Sequence, residues 1–227
     1  MRRFAFPALL AALFAAAVFG QFALCRVRAA SAPSLAEGAF ALFGGLRSVA
    51  AEVVWFRADR LQEEGRYVEL AQLARTLAFL EPHTPEVWSH AAWNLAYNVS
   101  VMMPTPEDRW RWVLAAIRLL RDEGLEVNPR SADLCRELAW MFQLKIGTDL
   151  DTAAPTYRAE WKRIVEDVRA RGAWDELGMD PAQMVRIEAA TGFDDWTDPQ
   201  LSAIYWAVRG GWADIVRQSS VLYRRAH

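Results

Sequence analysis

The sequence predicts an all-α protein: an N-terminal membrane-spanning helix followed by a body of consecutive helices. Three observations predict it. Phe4 to Cys25 is an uncharged run of 22 residues bracketed by arginine pairs, four Thr-Pro or Asp-Pro junctions mark helix starts along the body, and no stretch alternates strictly between apolar and polar residues with the β-branched content a strand needs. The composition agrees. With 227 residues, 53% hydrophobic and 24% charged, the chain is neither disordered, collagen-like nor disulfide-stapled. A net charge of −2 argues against a general nucleic-acid binder, which needs a basic excess to neutralise phosphates.

The first element is the apolar run. Arg2, Arg3, Arg26 and Arg28 precede the first acidic residue, Glu37, and leaving those four aside gives 22 basic against 28 acidic residues, or −6 for the remainder. At about 1.5 Å per residue the run makes a helix of roughly 33 Å, long enough to cross a hydrocarbon core. Ala30-Ser31-Ala32 keeps a cleavable signal peptide open as a competing reading, although the run exceeds a usual signal core and Arg26 and Arg28 intervene. Cys25 raises lipidation as a third reading, but Leu24 stands where a small residue is expected. The slight basic excess before the run predicts a cytoplasmic N-terminus, an inner-membrane location and an extracytoplasmic body. Ala12, Ala16 and Gly20 form a small-residue ladder that offers a seam for a weak homodimer, against the plainer reading that alanine is abundant throughout the segment. The division expected is an anchor at 1–28, a small-residue linker and entry segment at 29–50, paired helices at 51–170 and an irregular helical extension at 171–227.

The body is punctuated by Thr84-Pro85, Thr105-Pro106, Asp180-Pro181 and Asp198-Pro199, each a capping side chain before a proline whose missing donor costs nothing at the first helical position. Ser131 adds a fifth, weaker start ahead of Leu134 to Leu144. Helices are accordingly expected at about 106–123 closing at Gly124, at 154–170, at 199–209 and, after Gly210-Gly211, at 212–225.

In a frame of 34 residues opening at Ala51, Gly65 falls at position fifteen, Tyr67 at seventeen, Leu70 at twenty, Ala74 at twenty-four and Pro82 at thirty-two. The segment Val53 to Pro82 resembles a tetratricopeptide repeat, and Trp88, Ala91, Ala92 and Leu95 continue the pattern in the next frame. Departures are clear: the next Asn-Pro, at Asn128-Pro129, implies about 13 inserted residues near Val99 to Asp108, and a third frame from Ala132 is degenerate. The strings LLRDEGLEVNP, CRELAWMFQLKIG and AIYWAVRG are similar to those of membrane-anchored, repeat-containing bacterial proteins without an assigned activity. The resemblance implies a short, irregular array of antiparallel helix pairs and a bacterial source.

It also implies a concave surface that binds a protein or peptide. The family's groove positions correspond here to Glu52, Trp55, Asp59, Gln62 and Glu63, then Glu86, Ser89, Trp93, Ala96 and Tyr97, then Asp133, Arg136, Trp140, Gln143 and Leu144. Trp55, Asp59, Trp93, Tyr97, Arg136, Trp140 and Gln143 are the candidate contacts, an aromatic floor with polar groups to set register. Internal packing is the competing reading, with Trp196, Tyr205, Trp206 or Trp212 as the plug that fills the groove from within. Trp88, Trp110, Trp112 and Trp161 fall at helix-packing positions.

No catalytic or metal-binding motif emerges. His83, His90 and His227 lack ligand spacing, Cys25 and Cys135 lie far apart, and the neighbouring acids Glu63-Glu64, Asp122-Glu123, Asp149 with Asp151 and Asp194-Asp195 read as solvated faces, loops or caps, leaving Asp194 and Asp195 as nominal candidates for a hydrolytic carboxylate pair. The expectation is a non-enzymatic, cofactor-free membrane-anchored scaffold or adaptor, with a permanent structural subunit of a membrane complex as the alternative.

Overall fold

The computed structural model describes residues 49–58, 60, 61 and 63–226. The expected membrane segment at 4–25 and the Ala12, Ala16, Gly20 seam lie outside them, and no helix among the described residues is long and apolar enough to cross a membrane. Of residues 1–53, which form one unit, residues 49–53 are described and are helical. Residues 54–227 form the other unit.

That second unit is all-helical among its described residues. It contains α1 (Tyr67–Leu80), α2 (Pro85–Trp93), α3 (Pro106–Arg118), α4 (Ala132–Trp140), α5 (Ala154–Arg171), α6 (Pro181–Thr191), α7 (Pro199–Gly210) and α8 (Ala213–Ala226). Helices α2, α4 and α7 lie side by side in one row, and α3 packs against α5 in a second. Helix α8 runs back along α7.

All four proline junctions start helices with proline in the first turn. Thr105 Oγ1 accepts from Asp108 N at 3.1 Å, Asp180 Oδ1 from Ala182 N at 2.9 Å and Asp198 Oδ1 from Gln200 N at 2.7 Å, so free backbone donors are taken up as the sequence predicts. Ser131 does the same for Leu134. Thr84 differs: its hydroxyl donates to Glu81 and caps nothing.

Three helices do not end where their α-geometry ends. Helix α2 continues as a π-helix over Asn94–Val99, α3 over Leu119–Gly124 and α4 over Met141–Ile146. Helices α2 and α4 share one plan, nine α-helical residues followed by six π-helical ones, with every position displaced by 47 residues. Thus Trp93 matches Trp140, Tyr97 matches Leu144 and Asn98 matches Lys145. The two segments thus repeat one another at this spacing.

Gly124, expected to close the second helix, does not. Its φ of −64° is right-handed, and the chain runs on through Leu125–Val127. A Cβ there would stand 3.2 Å from Leu134 Cδ1 and 3.4 Å from Trp88 Cβ, so the glycine serves close approach between helices.

The core runs between the two rows. Trp88, Trp110 and Trp161 are buried as expected, while Trp112 is half-buried. Trp196, Tyr205 and Trp206 are buried too, and every residue of α7 from Pro199 to Ala207 is inaccessible, the signature of a helix surrounded on all sides. Each buried indole removes about 200 Å² from water, on the order of 5 kcal/mol relative to the extended chain. Helix α7 of the irregular extension is therefore a third member of the helix row, packed between α4 and α8.

Candidate partner-binding face

Two exposed aromatic residues of the body, Trp93 and Trp140, arise from the shared plan of α2 and α4; a third, Phe56, precedes α1 and is 73% exposed. Trp93 and Trp140 occupy the last α-helical position before each π-segment and remain 43% and 39% exposed, against 1% for Trp206. Of the four tail rings offered as a plug, Trp196, Tyr205 and Trp206 are buried and Trp212 packs on Arg136, while the Trp93 and Trp140 rings keep this exposure. Trp93 stacks on Tyr97, with ring centroids 5.5 Å apart. Leu144, the counterpart of Tyr97, is exposed as well.

Charged groups hold this face in place. The Arg136 guanidinium lies 5.1 Å from the Trp140 ring and 4.8 Å from the Trp212 ring, and its Nη1 is 3.1 Å from Asp133 Oδ1. Trp212 is in turn tied to the start of α4, its indole N–H donating to Ala132 O at 2.8 Å. Lys145 places its ammonium 5.0 Å from the Tyr97 ring centre, linking α4 to α2. Burial, together with the Glu137 carboxylate nearby, pushes the Tyr97 hydroxyl up to about 12. Burial also raises Glu137 above the usual carboxylate range, against the opposing pull of Arg136 at 3.6 Å.

Several expected contacts fall elsewhere. Trp55 is half-buried with its ring 5.5 Å from His90, one turn before Trp93. Asp59 and Gln62 lie outside the described residues. Gln143 is a correction: it is 1% exposed, its amide donates to Ser219 Oγ of α8 at 3.0 Å, and its carbonyl accepts from Gln200. Ala96, at the matching position of α2, is also fully buried. The π-segments explain both, since i→i+5 bonding puts more residues in each turn and leaves the third residue after each tryptophan facing inward.

Two residues that sequence spacing did not single out belong to this region. Glu137 precedes Trp140 by three positions and so shares its side of α4. Lys145 is the one charged residue from Leu138 to Ile146, a run apolar but for it and Gln143, and that contrast was its signal. It is buried and bonded to Asp151 Oδ2 at 2.6 Å, while Tyr157 donates to the same oxygen at 3.1 Å and Ala153 N to Oδ1 at 2.9 Å. Of the nominal hydrolytic pair, Asp195 Oδ1 accepts from Thr197 N and Oγ1, which shapes a turn.

Comparison with protein-family models, curated proteins and solved structures finds no match to this chain. Its function has to be read from the chemistry of the face itself.

Proposed function

We propose that the protein is a membrane-anchored, tetratricopeptide-like scaffold or adaptor of the bacterial envelope, with Trp93, Tyr97, Trp140, Leu144 and Arg136 receiving a protein or peptide partner. The observation that carries this reading is the exposure of two tryptophans at matching positions of two helices, whereas Trp88, Trp110, Trp161, Trp196 and Trp206 are buried. Evenly spaced, immobilised aromatic anchors supply large contact area with little rotamer entropy left to lose. Stacking on Tyr97 and the Arg136 bridge orient the anchors before any partner arrives. The apolar run at 4–25 confines the body to the membrane surface, which raises the effective concentration of a partner held in the same membrane.

The test is cross-linking and mass spectrometry on the C-terminally tagged full chain, extracted in detergent, beside the Trp93→Ala, Trp140→Ala variant. The expected result is a defined partner that the variant loses while its helical signal and melting temperature hold. Reporter fusions on either side of residues 4–25 test the topology. A partner retained by the variant, or turnover of a small molecule with no partner recovered, defeats the proposal.

A further inference from the structure

The face defined by α2 and α4 carries a charge pattern as well as an aromatic one. Seven residues before each exposed tryptophan, two helical turns back on the same stripe, stands an acid: Glu86 before Trp93 and Asp133 before Trp140. Glu137 adds a third carboxylate between the stripes, close enough to Tyr97 to perturb its hydroxyl. Arg136 is committed to Asp133, Glu137 and two indole rings, and Lys145 is buried against Asp151. The accessible balance of the face is therefore acidic.

The aromatic rings show what they favour. Trp140 already carries a guanidinium, and Tyr97 carries an ammonium, both supplied by α4. The exposed area of Trp93 and Trp140 is thus π surface flanked by carboxylates, an arrangement that attracts a cation through the ring quadrupole and the neighbouring negative charge together. Glu137, three residues before Trp140, has its side chain 12% exposed and 3.6 Å from Arg136, so a peptide cation lying on the Trp140 ring would meet it only at its exposed edge.

We infer that the face formed by Trp93, Tyr97 and Trp140 with Glu86, Asp133 and Glu137 takes a basic peptide, one whose arginine or lysine side chains lie on the indoles and reach the carboxylates. The inference rests on the docking role proposed above and names the chemistry of the partner. Charge complementarity is what selects the occupant: an acidic segment would meet three carboxylates, and a purely apolar one would leave them unsolvated.

The experiment measures fluorescence anisotropy of a labelled peptide of alternating arginine and serine, added to the full-length protein in a neutral detergent, with empty micelles as background. Peptides with citrulline or glutamate in place of arginine are run beside it. The arginine peptide is expected to bind saturably, with citrulline weaker by about tenfold and glutamate not bound, since two partly desolvated cation–π contacts amount to about that factor. Glu137→Gln, which keeps shape and fold, should weaken the arginine peptide several-fold and leave the citrulline peptide unchanged. Equal binding of arginine and citrulline peptides, both lost in the Trp93→Ala, Trp140→Ala variant, overturns the charge inference while the docking role stands. Preference for the glutamate peptide overturns it as well. Absence of binding by all three peptides overturns it too, and the docking role then falls or stands on the cross-linking result.

Discussion

Substitution of Asp151 by asparagine removes the centre of the body's buried polar cluster and has a calculable cost. The Lys145 and Asp151 side chains are 5% and 7% exposed and their charged atoms are 2.6 Å apart. At an effective dielectric constant of about 20, two unit charges at that separation attract by about 6 kcal/mol, most of which offsets the cost of taking both from water. Asp151→Asn keeps the shape and a carbonyl oxygen for Ala153 N but strands a buried ammonium, a loss of about 3–5 kcal/mol. Lys145→Met is the milder change, because the carboxylate it leaves behind retains Ala153 N, Tyr157 Oη and, at 3.6 Å, Arg109 Nη1. The assay is urea unfolding followed by far-ultraviolet circular dichroism, with both single variants and the double variant closing a cycle. For a body of this size Asp151→Asn should lower the melting temperature by about 10 °C. A loss below about 1 kcal/mol, or a Lys145→Met variant that suffers more than Asp151→Asn, would refute the reasoning.

Acid should erode the same cluster. Burial pushes the Asp151 carboxyl up, but the Lys145 hydrogen bond, the Ala153 N–H, the Lys145 charge and the Tyr157 hydroxyl together outweigh it and hold the group below its ordinary value of 3.8. A depressed folded-state value means the contribution is present above the unfolded value and lost as pH falls through the folded one, so wild-type stability should drop below about pH 4 and the drop should shrink in Asp151→Asn. Gly147→Ala should destabilise by about 3 kcal/mol, since its Cβ would stand 2.7 Å from Phe142 O and 2.9 Å from Gln143 O and would collide with Gln200 Nε2, breaking the bonds that amide donates to Gln143 O and Gly147 O; unchanged denaturant midpoints would contradict this. Trp206→Ala should cost about 3–5 kcal/mol and Trp140→Ala under about 1, and comparable losses in a thermal melt would mean that Trp140 is core after all.

Helix starts were legible because capping is local. Asp180 and Asp198 reach donors two residues away, and no distant part of the fold has to be known to predict that. Thr84 shows the limit, since a competing acceptor, Glu81, captures its hydroxyl. The candidate face was legible in part: Trp93 and Trp140 are placed by helical phase from Thr84 and Ser131, and they emerge exposed. Gln143 was not legible, because its fate depends on the π-segment that turns it inward and on Ser219, 76 residues later. No short-range pattern announces a π-segment; its extra residue per turn is stabilised by what packs on either side.

By itself the sequence determined the helical class, the positions of the helix starts and an apolar run of spanning length, all of them set by spacing along a single chain segment. Only the tertiary structure decided that α7 enters the row beside α4, that α8 closes over Gln143, and that the two tryptophans stay open while Trp196 and Trp206 do not. The physical reason is that burial belongs to pairs of distant surfaces. An indole is core or contact according to which helix arrives to cover it, and that depends on chain far from its own position.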